Sequence, residues 1–259
     1  MLMMTKKLKY GCKGLVAVIS GGTSGIGLAT ARSLAADGAR VFVLGRDKAR
    51  GGAAEAELKE LGKASYVQCD VTQSASCKEA AEAVAKAVKG AGVDILVNSA
   101  GVYAEQRLEN VTEADYAAIM DTNVKGTLFL TQALQKQLKV GGAIVNIASD
   151  AGVHGNYGCP LYCASKGAIV ALTRALALDF APDVRVNCVC PADVDTPLLA
   201  RQLVDANEGY TLSDMEAAYP LGRIARVEEI AHVICGIATP ANSFMTGSII
   251  AVDGGVTAG

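Results

Sequence analysis

The sequence predicts one α/β domain, a seven-stranded parallel sheet doubly wound with helices on both faces. Short runs that are apolar on both faces alternate with helical patterns, as expected for a parallel sheet buried between helices. A glycine-rich turn, Gly21–Gly27, follows the first of those runs and opens a helical pattern. The 259 residues suit one large domain, and no Ser/Pro linker or internal repeat divides them.

Taken in order, Leu15–Ile19 is the first strand, and the helix after the glycine turn runs to Asp37, where Gly38 stops it. Val41–Leu44 is the second strand, followed by a charged helix ending near Gly62. Ser65–Cys69 is the third, followed by an Ala-rich helix through Lys89. Asp94–Val97 is the fourth and closes on Asn98-Ser99-Ala100-Gly101, after which a long helical pattern covers Thr112–Leu138. Ala143–Ala148 is the fifth strand, leading through a loop to a helix over Leu161–Phe180. Val184–Cys190 and Gly247–Val252 complete the sheet, and the Ala-rich segment Pro197–Pro220 between them reads as a helical lid.

Composition excludes several classes of function. The net charge is −2, aromatics are 5% and Trp is absent, so neither a nucleic-acid field nor a base-stacking surface is implied. No run approaches the ~20 apolar residues of a membrane span, and the lysines of Met1–Tyr10 precede no secretory h-region. The expectation is a cytoplasmic protein that binds neither nucleic acid nor membrane. Its eight scattered cysteines then read as reduced thiols, and with two distant histidines no metal site is expected.

The chemistry concentrates in Tyr162-Cys163-Ala164-Ser165-Lys166. Tyr162 and Lys166 are four apart, which on a helix places them on one face. A neighbouring cation favours the phenolate and draws a phenol from about 10 toward working pH, as a general acid/base requires. Ser149, in the preceding loop, is placed to hydrogen-bond a substrate oxygen beside the phenol. An ordinary helix with Tyr and Lys in solvent has the same spacing, and a loop-capping role would account for Ser149. The turn Gly21-x-x-x-Gly25-x-Gly27 lets backbone N–H groups approach a pyrophosphate at a helix N-terminus. A close-packed turn without a ligand is the plain alternative.

Together these residues resemble the short-chain dehydrogenase/reductases over essentially the whole chain. The resemblance rests on Ser20–Gly27, Asp70-Val71, Asn98–Gly101, Asn123, Ser149, Tyr162-x-x-x-Lys166 and Pro191-x-x-Val194-x-Thr196, in the expected order. Ser20 stands where the family usually has Thr, Ser99 where it often has a second Asn, and Ala192 where Gly commonly follows Pro. The resemblance implies a Rossmann-type NAD(P)-binding domain over residues 1–259, with a substrate lid at about 193–222. It implies Tyr162 as general acid/base, Lys166 as the group that lowers its pKa and holds the nicotinamide ribose, and Ser149 as the substrate-polarising hydroxyl. Asn123 would brace a water linking Lys166 to solvent. The glycine turn with Gly21, Gly25, Ile26 and Gly27 would hold the pyrophosphate, and Thr23 or Ser24 would add a donor to a 2′-phosphate. Asp70 and Val71 would contact the adenine, and Asn98 with Gly101 would line the adenosine side. Pro191, Val194 and Thr196 would close on the carboxamide.

Cofactor choice turns on Gly45-Arg46-Asp47 at the end of the second strand. NAD enzymes of this kind place an acid where Gly45 stands, whereas Arg46 suits a 2′-phosphate, so NADP(H) is expected, with NAD(H) the alternative. Val153, His154 and Tyr157 are expected to border the pocket, and Leu198, Leu199 and Leu203 to give the lid an apolar inner face that suits an apolar alcohol or ketone. The expected reaction interconverts a secondary alcohol and a ketone. One alternative is a 3-oxoacyl-carrier-protein reductase, for which Lys136, Lys139 and Arg174 would meet an acidic carrier. The other is a cofactor-sensing regulator, which would typically lack the Tyr or Lys present here. A homo-tetramer or dimer pairing through 112–138 and 161–180 is also implied.

Overall fold

The strands form where the sequence is apolar on both faces, and their register determines what reaches the site. The computed structural model describes residues 9–205 and 211–258, apart from the side chains of Arg201 and residues 203–205. Expectations for Met1–Leu8, part of the lid and the Leu203 side chain therefore lie outside the described residues. In chain order the elements are β1 Val16–Ser20, α1 Gly25–Ala36, β2 Arg40–Gly45, α2 Lys48–Lys59, β3 Lys63–Gln68, α3 Ser74–Val88 and β4 Val93–Asn98. Then come α4 Glu113–Met120, α5 Gly126–Leu134, β5 Leu138–Ile147, α6 Pro160–Phe180 and β6 Val184–Pro191. The chain ends through α7 Pro197–Asp205, α8 Leu212–Ala217, α9 Val227–Ala238 and β7 Ile249–Val252.

All seven strands pair in parallel in the order β3-β2-β1-β4-β5-β6-β7. The order reverses between β1 and β4, which opens a crevice at their carboxyl ends, where open α/β sheets bind ligands. Alternate residues feed opposite cores. Ala17, Ile19, Val41, Val43, Ile95 and Val97 pack with α1 and α9 on one face. Val16, Val18, Phe42, Leu44 and Leu96 pack with α3 and α5 on the other, as the period of two requires.

Three differences from the sequence reading have physical causes. The expected continuous helix over 112–138 is α4, a π-helical turn Asp121–Lys125 and α5, and Leu138 already belongs to β5. Its start is fixed by a capping box between Thr112 and Asp115. Second, α9 carries no assignment in that reading, although Glu229 accepts from the Arg226 N–H at 2.8 Å and its apolar face packs on α1. Third, α6 is a 21-residue helix that is apolar enough by length and hydropathy to cross a membrane, contrary to the expectation that no segment approaches this. Here it lies along the sheet, with Ser165, Lys166 and Thr173 among its buried residues. An apolar helix facing a sheet on one side satisfies the same compositional test.

A chain of buried polar side chains ties this helix to the crevice. Asn98 at the end of β4 donates to Thr131 Oγ1 on α5 (3.0 Å) and to the side-chain oxygen Oδ1 of Asn146 on β5 (2.8 Å). Asn146 donates in turn to Thr173 on α6 (3.0 Å), which itself donates to Ile169 O. All four side chains are buried. Stranding one such group costs roughly 1–3 kcal/mol. Asn146→Ala removes the central link, so it should lower unfolding stability by about 1–3 kcal/mol or more in urea titration, with an unchanged m-value.

Candidate active site

At the crevice the chain must turn sharply from β1 into α1, and only glycine fits the turn. Gly21 has φ +65°, and a Cβ there would meet Ala100 N at 2.8 Å. A Cβ on Gly27 would collide with Gly21 O. Ser20, taking the place of Thr, still braces the neighbouring loop, its Oγ accepting from the N–H groups of Ser99 and Ala100 at 3.2 Å each. The N-cap of α1, Ser24, makes no side-chain capping bond. The first-turn N–H groups of α1 are thus left uncapped by side chains beside a cavity of about 700 Å³ lined by Gly21, Ser24, Gly25 and Ile26. This glycine-bordered, positively polarised helix end fits a dinucleotide pyrophosphate.

The opposite wall carries the proton-transfer residues. Ser149, Tyr162 and Lys166 all line the cavity, as do Gly101, Pro191, Val194 and Thr196. Lys166 is buried, its ammonium donating to Ile147 O at 3.0 Å and standing 5.6 Å from the Tyr162 ring centre. Burial pushes the ammonium down to about 8. Burial also raises the Tyr162 phenol; the Ser149 hydroxyl opposes that, while Asp150 adds to it. The sequence expectation was that Lys166 would lower the phenol. In this arrangement desolvation is the largest cause for each residue, and both groups are pushed toward neutrality.

Asn123 sits in the π-helical turn and lines nothing itself. Its carboxamide accepts from Val102 N–H at 2.8 Å and donates to Val102 O and Ser165 Oγ, both at 3.0 Å. A Cβ on Gly101 would lie 3.4 Å from Asn123 Oδ1 and 3.5 Å from Lys166 Nζ, so the two residues flank that glycine.

The remaining expected cofactor residues fall outside the cavity lining. Arg46 is exposed just past β2, and no described acidic side chain pairs with it. Asp47 is occupied elsewhere: it caps α2, accepting from Arg50 N–H at 3.0 Å and pairing with the Arg50 guanidinium at 3.4 Å. Thr23 packs over Gly45, where a Cβ would meet its methyl at 2.9 Å. Asp70 and Val71 follow β3, with Asp70 accepting from Thr72 and Val71 packed in the core. Asn98 corrects the expectation: its side chain turns inward to Thr131 and Asn146, so it braces β4 instead of lining the cleft.

Several lining residues had no place in the sequence reading. Ser149 donates to Asp150 Oδ1 at 2.6 Å, and Asn156 holds the other carboxylate oxygen at 3.2 Å. Tyr103 meets Tyr162 edge-on, with ring centres 4.8 Å apart. Tyr219 donates to Asp193 at 2.7 Å, and burial raises the Asp193 carboxyl. Asp150 was visible as the neighbour of Ser149; nothing in the spacing pointed to the Asp193–Tyr219 pair. Of the three loop residues expected at the border, Tyr157 lines the cavity, whereas Val153 and His154 are exposed off it. The wall is also less apolar than expected. Leu198 and Leu199 line it, but so do Glu105, Asp150 and Asp193, with Lys166 the single basic side chain among the described lining residues.

Comparison with known proteins agrees with this architecture. Residues 21–257 match a family model described as enoyl-(acyl carrier protein) reductase. A meso-2,3-butanediol dehydrogenase of Serratia marcescens is 36% identical, over 94% of this chain and 94% of its own. A 3-oxoacyl-[acyl-carrier-protein] reductase of Thermotoga maritima is 34% identical, over 94% of this chain and 98% of its own. A crystal structure of a glucose/ribitol dehydrogenase from Brucella melitensis superposes with a TM-score of 0.89 at 31% identity, covering 96% of this chain and 99% of that one. The chain belongs to the short-chain dehydrogenase/reductase family of oxidoreductases acting on CH–OH groups.

Proposed function

We propose that the protein is an NADP(H)-dependent oxidoreductase interconverting a secondary alcohol and a ketone, with Tyr162 as general acid/base. The observation that carries this reading is the convergence of Ser149, Tyr162 and Lys166 on one wall of a cavity whose other wall is the uncapped start of α1. A nicotinamide held beside Tyr162 would supply or accept the hydride. In the reducing direction Tyr162 donates its proton to the carbonyl oxygen, and Ser149 turns its O–H from Asp150 to the same oxygen. Lys166 holds the ribose and, when charged, favours the phenolate left behind. Asn123 keeps Val102 and Ser165 in place beside Lys166 and braces a water path from it to solvent. Gly21, Gly25, Ile26 and Gly27 hold the pyrophosphate, Thr23 or Ser24 adds a donor to the 2′-phosphate beside Arg46, and Pro191, Val194 and Thr196 hold the carboxamide. Asp70, Val71 and Gly101 complete the nucleotide cleft.

The acidic, tyrosine-rich wall favours a small hydroxyl-bearing ketone or alcohol over the apolar substrate expected from the lid leucines. α7 and α8 form the lid, hung from a backbone clamp between Asp193, Asp195 and Ala225. The similarity to a 3-oxoacyl-carrier-protein reductase keeps that second reading in view. However, Lys136 lies in the turn just before β5 and Lys139 at the start of that strand, paired to Asp94 near the start of β4, at the amino ends of the strands and opposite the cavity. They are poorly placed to meet an acidic carrier at its mouth. The exposed apolar side chains Tyr116 on α4, Leu128 on α5 and Leu178 on α6 support a dimer or tetramer paired through those helices. The eight free thiols suit a cytoplasmic location.

Two experiments test this reading. Tyr162→Phe should fold and bind cofactor but lose about 10²–10⁴-fold in turnover with small hydroxy-ketones; retention of more than about a tenth of wild-type rate would contradict the acid/base role. The free Arg46 should give NADPH the higher kcat/KM, and Arg46→Ala should cut that preference by roughly 10- to 150-fold, the value of about 1.5–3 kcal/mol in charge-assisted bonds. Equal or higher kcat/KM for NADH in the wild type would overturn the cofactor assignment.

A further inference from the structure

All eight cysteines are free thiols, and three pairs interact: Cys159 and Cys163 with sulfurs at 3.8 Å, Cys188 and Cys190 at 3.9 Å, and Cys69 with Cys77, both buried in the core under α3. The pairs differ in access and in freedom. Cys188 and Cys190 are both 0% exposed and point the same way from alternate positions of β6, whose pairing to β5 and β7 holds their stems parallel. Cys159 is the N-cap of α6, with φ −141° and ψ 49°, so it is not held in helical geometry. It lines the catalytic cavity, and Cys163, one turn along, is half-buried. Both sulfurs rest on the same acceptor, Asn156 O, at 3.7 and 3.9 Å. They need only close to the ~2.05 Å of a disulfide.

We propose that Cys159 and Cys163 form a modification site, a dithiol that hydrogen peroxide oxidises to a disulfide and so stops turnover at Tyr162. The Cys163 thiolate attacks one peroxide oxygen. The O–O bond breaks, giving a sulfenic acid and hydroxide that leaves as water. The Cys159 sulfur then displaces the sulfenic oxygen as a second water and forms the S–S bond. Two thiols are oxidised by two electrons, and one peroxide is reduced to two waters. Burial, reinforced by Cys163, pushes the Cys159 thiol up to about 12, which disfavours it for the first attack; the 3.8 Å sulfur separation is what brings it into the second, intramolecular step. The consequence for turnover runs through Tyr103, whose hydroxyl interacts with Cys159 and whose ring packs edge-on against Tyr162. Drawing Cys159 toward Cys163 displaces that wall.

The inference about turnover rests on the proposed role of Tyr162; the disulfide itself does not. Treatment of the reduced protein with hydrogen peroxide should remove 2 Da, as about one S–S bond requires, within the peptide containing residues 159–163. It should lower ketone reduction at least about tenfold, with dithiothreitol reversing both. Cys163→Ser, and Cys163→Ala should the serine not fold, should keep basal activity and resist peroxide. A disulfide mapped elsewhere, an unchanged rate in the oxidised protein, or equal peroxide sensitivity in the Cys163 variants would overturn the proposal. The mass measurement decides the dithiol independently of turnover, and an untreated enzyme inert toward every ketone and alcohol would overturn the functional reading instead.

Discussion

The arrangement depends on one buried hydrogen-bond chain, Thr131–Asn98–Asn146–Thr173. It crosses the sheet next to its switch point and joins α5, β4, β5 and α6. Apolar packing alone leaves a helix free to slide or rotate on a sheet at small cost, because the hydrophobic effect is non-directional. A polar chain is directional, and stranding any member in the core is expensive. Thr173 lies two turns along α6 from Lys166, so fixing it to β5 fixes the height at which Lys166 reaches Ile147 O and Tyr162 faces the cavity. The same chain turns Asn98 away from the cleft, leaving the backbone of residues 99–101 to line it.

The site itself is held under electrostatic tension. Burial disfavours both a charged lysine and a charged phenolate, and it dominates the shifts of both residues. Linkage makes the two contributions differ in sign. For Lys166 the folded value lies below the unfolded one, so the folded protein binds fewer protons between them, and stability rises with pH from about 8 toward the ordinary lysine range. For Tyr162 the folded value lies above the ordinary one, so stability falls as pH climbs past the phenol's unfolded pKa of about 10. Lys166 so placed gives up its proton near pH 8, and the pair resists carrying two opposite charges.

Much of this was legible in the sequence because period and punctuation carry it. Six of the seven strands were found within a residue or two since their runs are apolar on both faces, whereas β5 starts at Leu138, five residues before the expected Ala143, through an exposed stretch that carries no such signal. Tyr162, Lys166 and Ser149 share a wall because a helical turn and a strand end dictate it. What the sequence hid depends on contacts across the fold. Asn98 reads as a cleft residue until β5 supplies Asn146 opposite it. Asp193 and Tyr219 meet only because the lid returns through Ala225. The π-helical turn that seats Asn123 interrupts an apparently continuous helix just before Gly126, without proline. The helix α9 was missed although its cap and apolar spacing were present, and the polar cavity wall was masked by the leucines of the lid.

The central claim is that Tyr162 and Lys166 act as one buried proton-transfer unit, and the pH dependence of kcat/KM with NADPH as the varied substrate tests it most directly, because that ratio reports groups of the free enzyme. Ketone reduction should fall as pH rises through about 8, where the lysine loses its charge, and Lys166→Met should be slow with no inflection there. A wild-type profile flat from about pH 7 to 9, or the same inflection retained in Lys166→Met, would contradict the account.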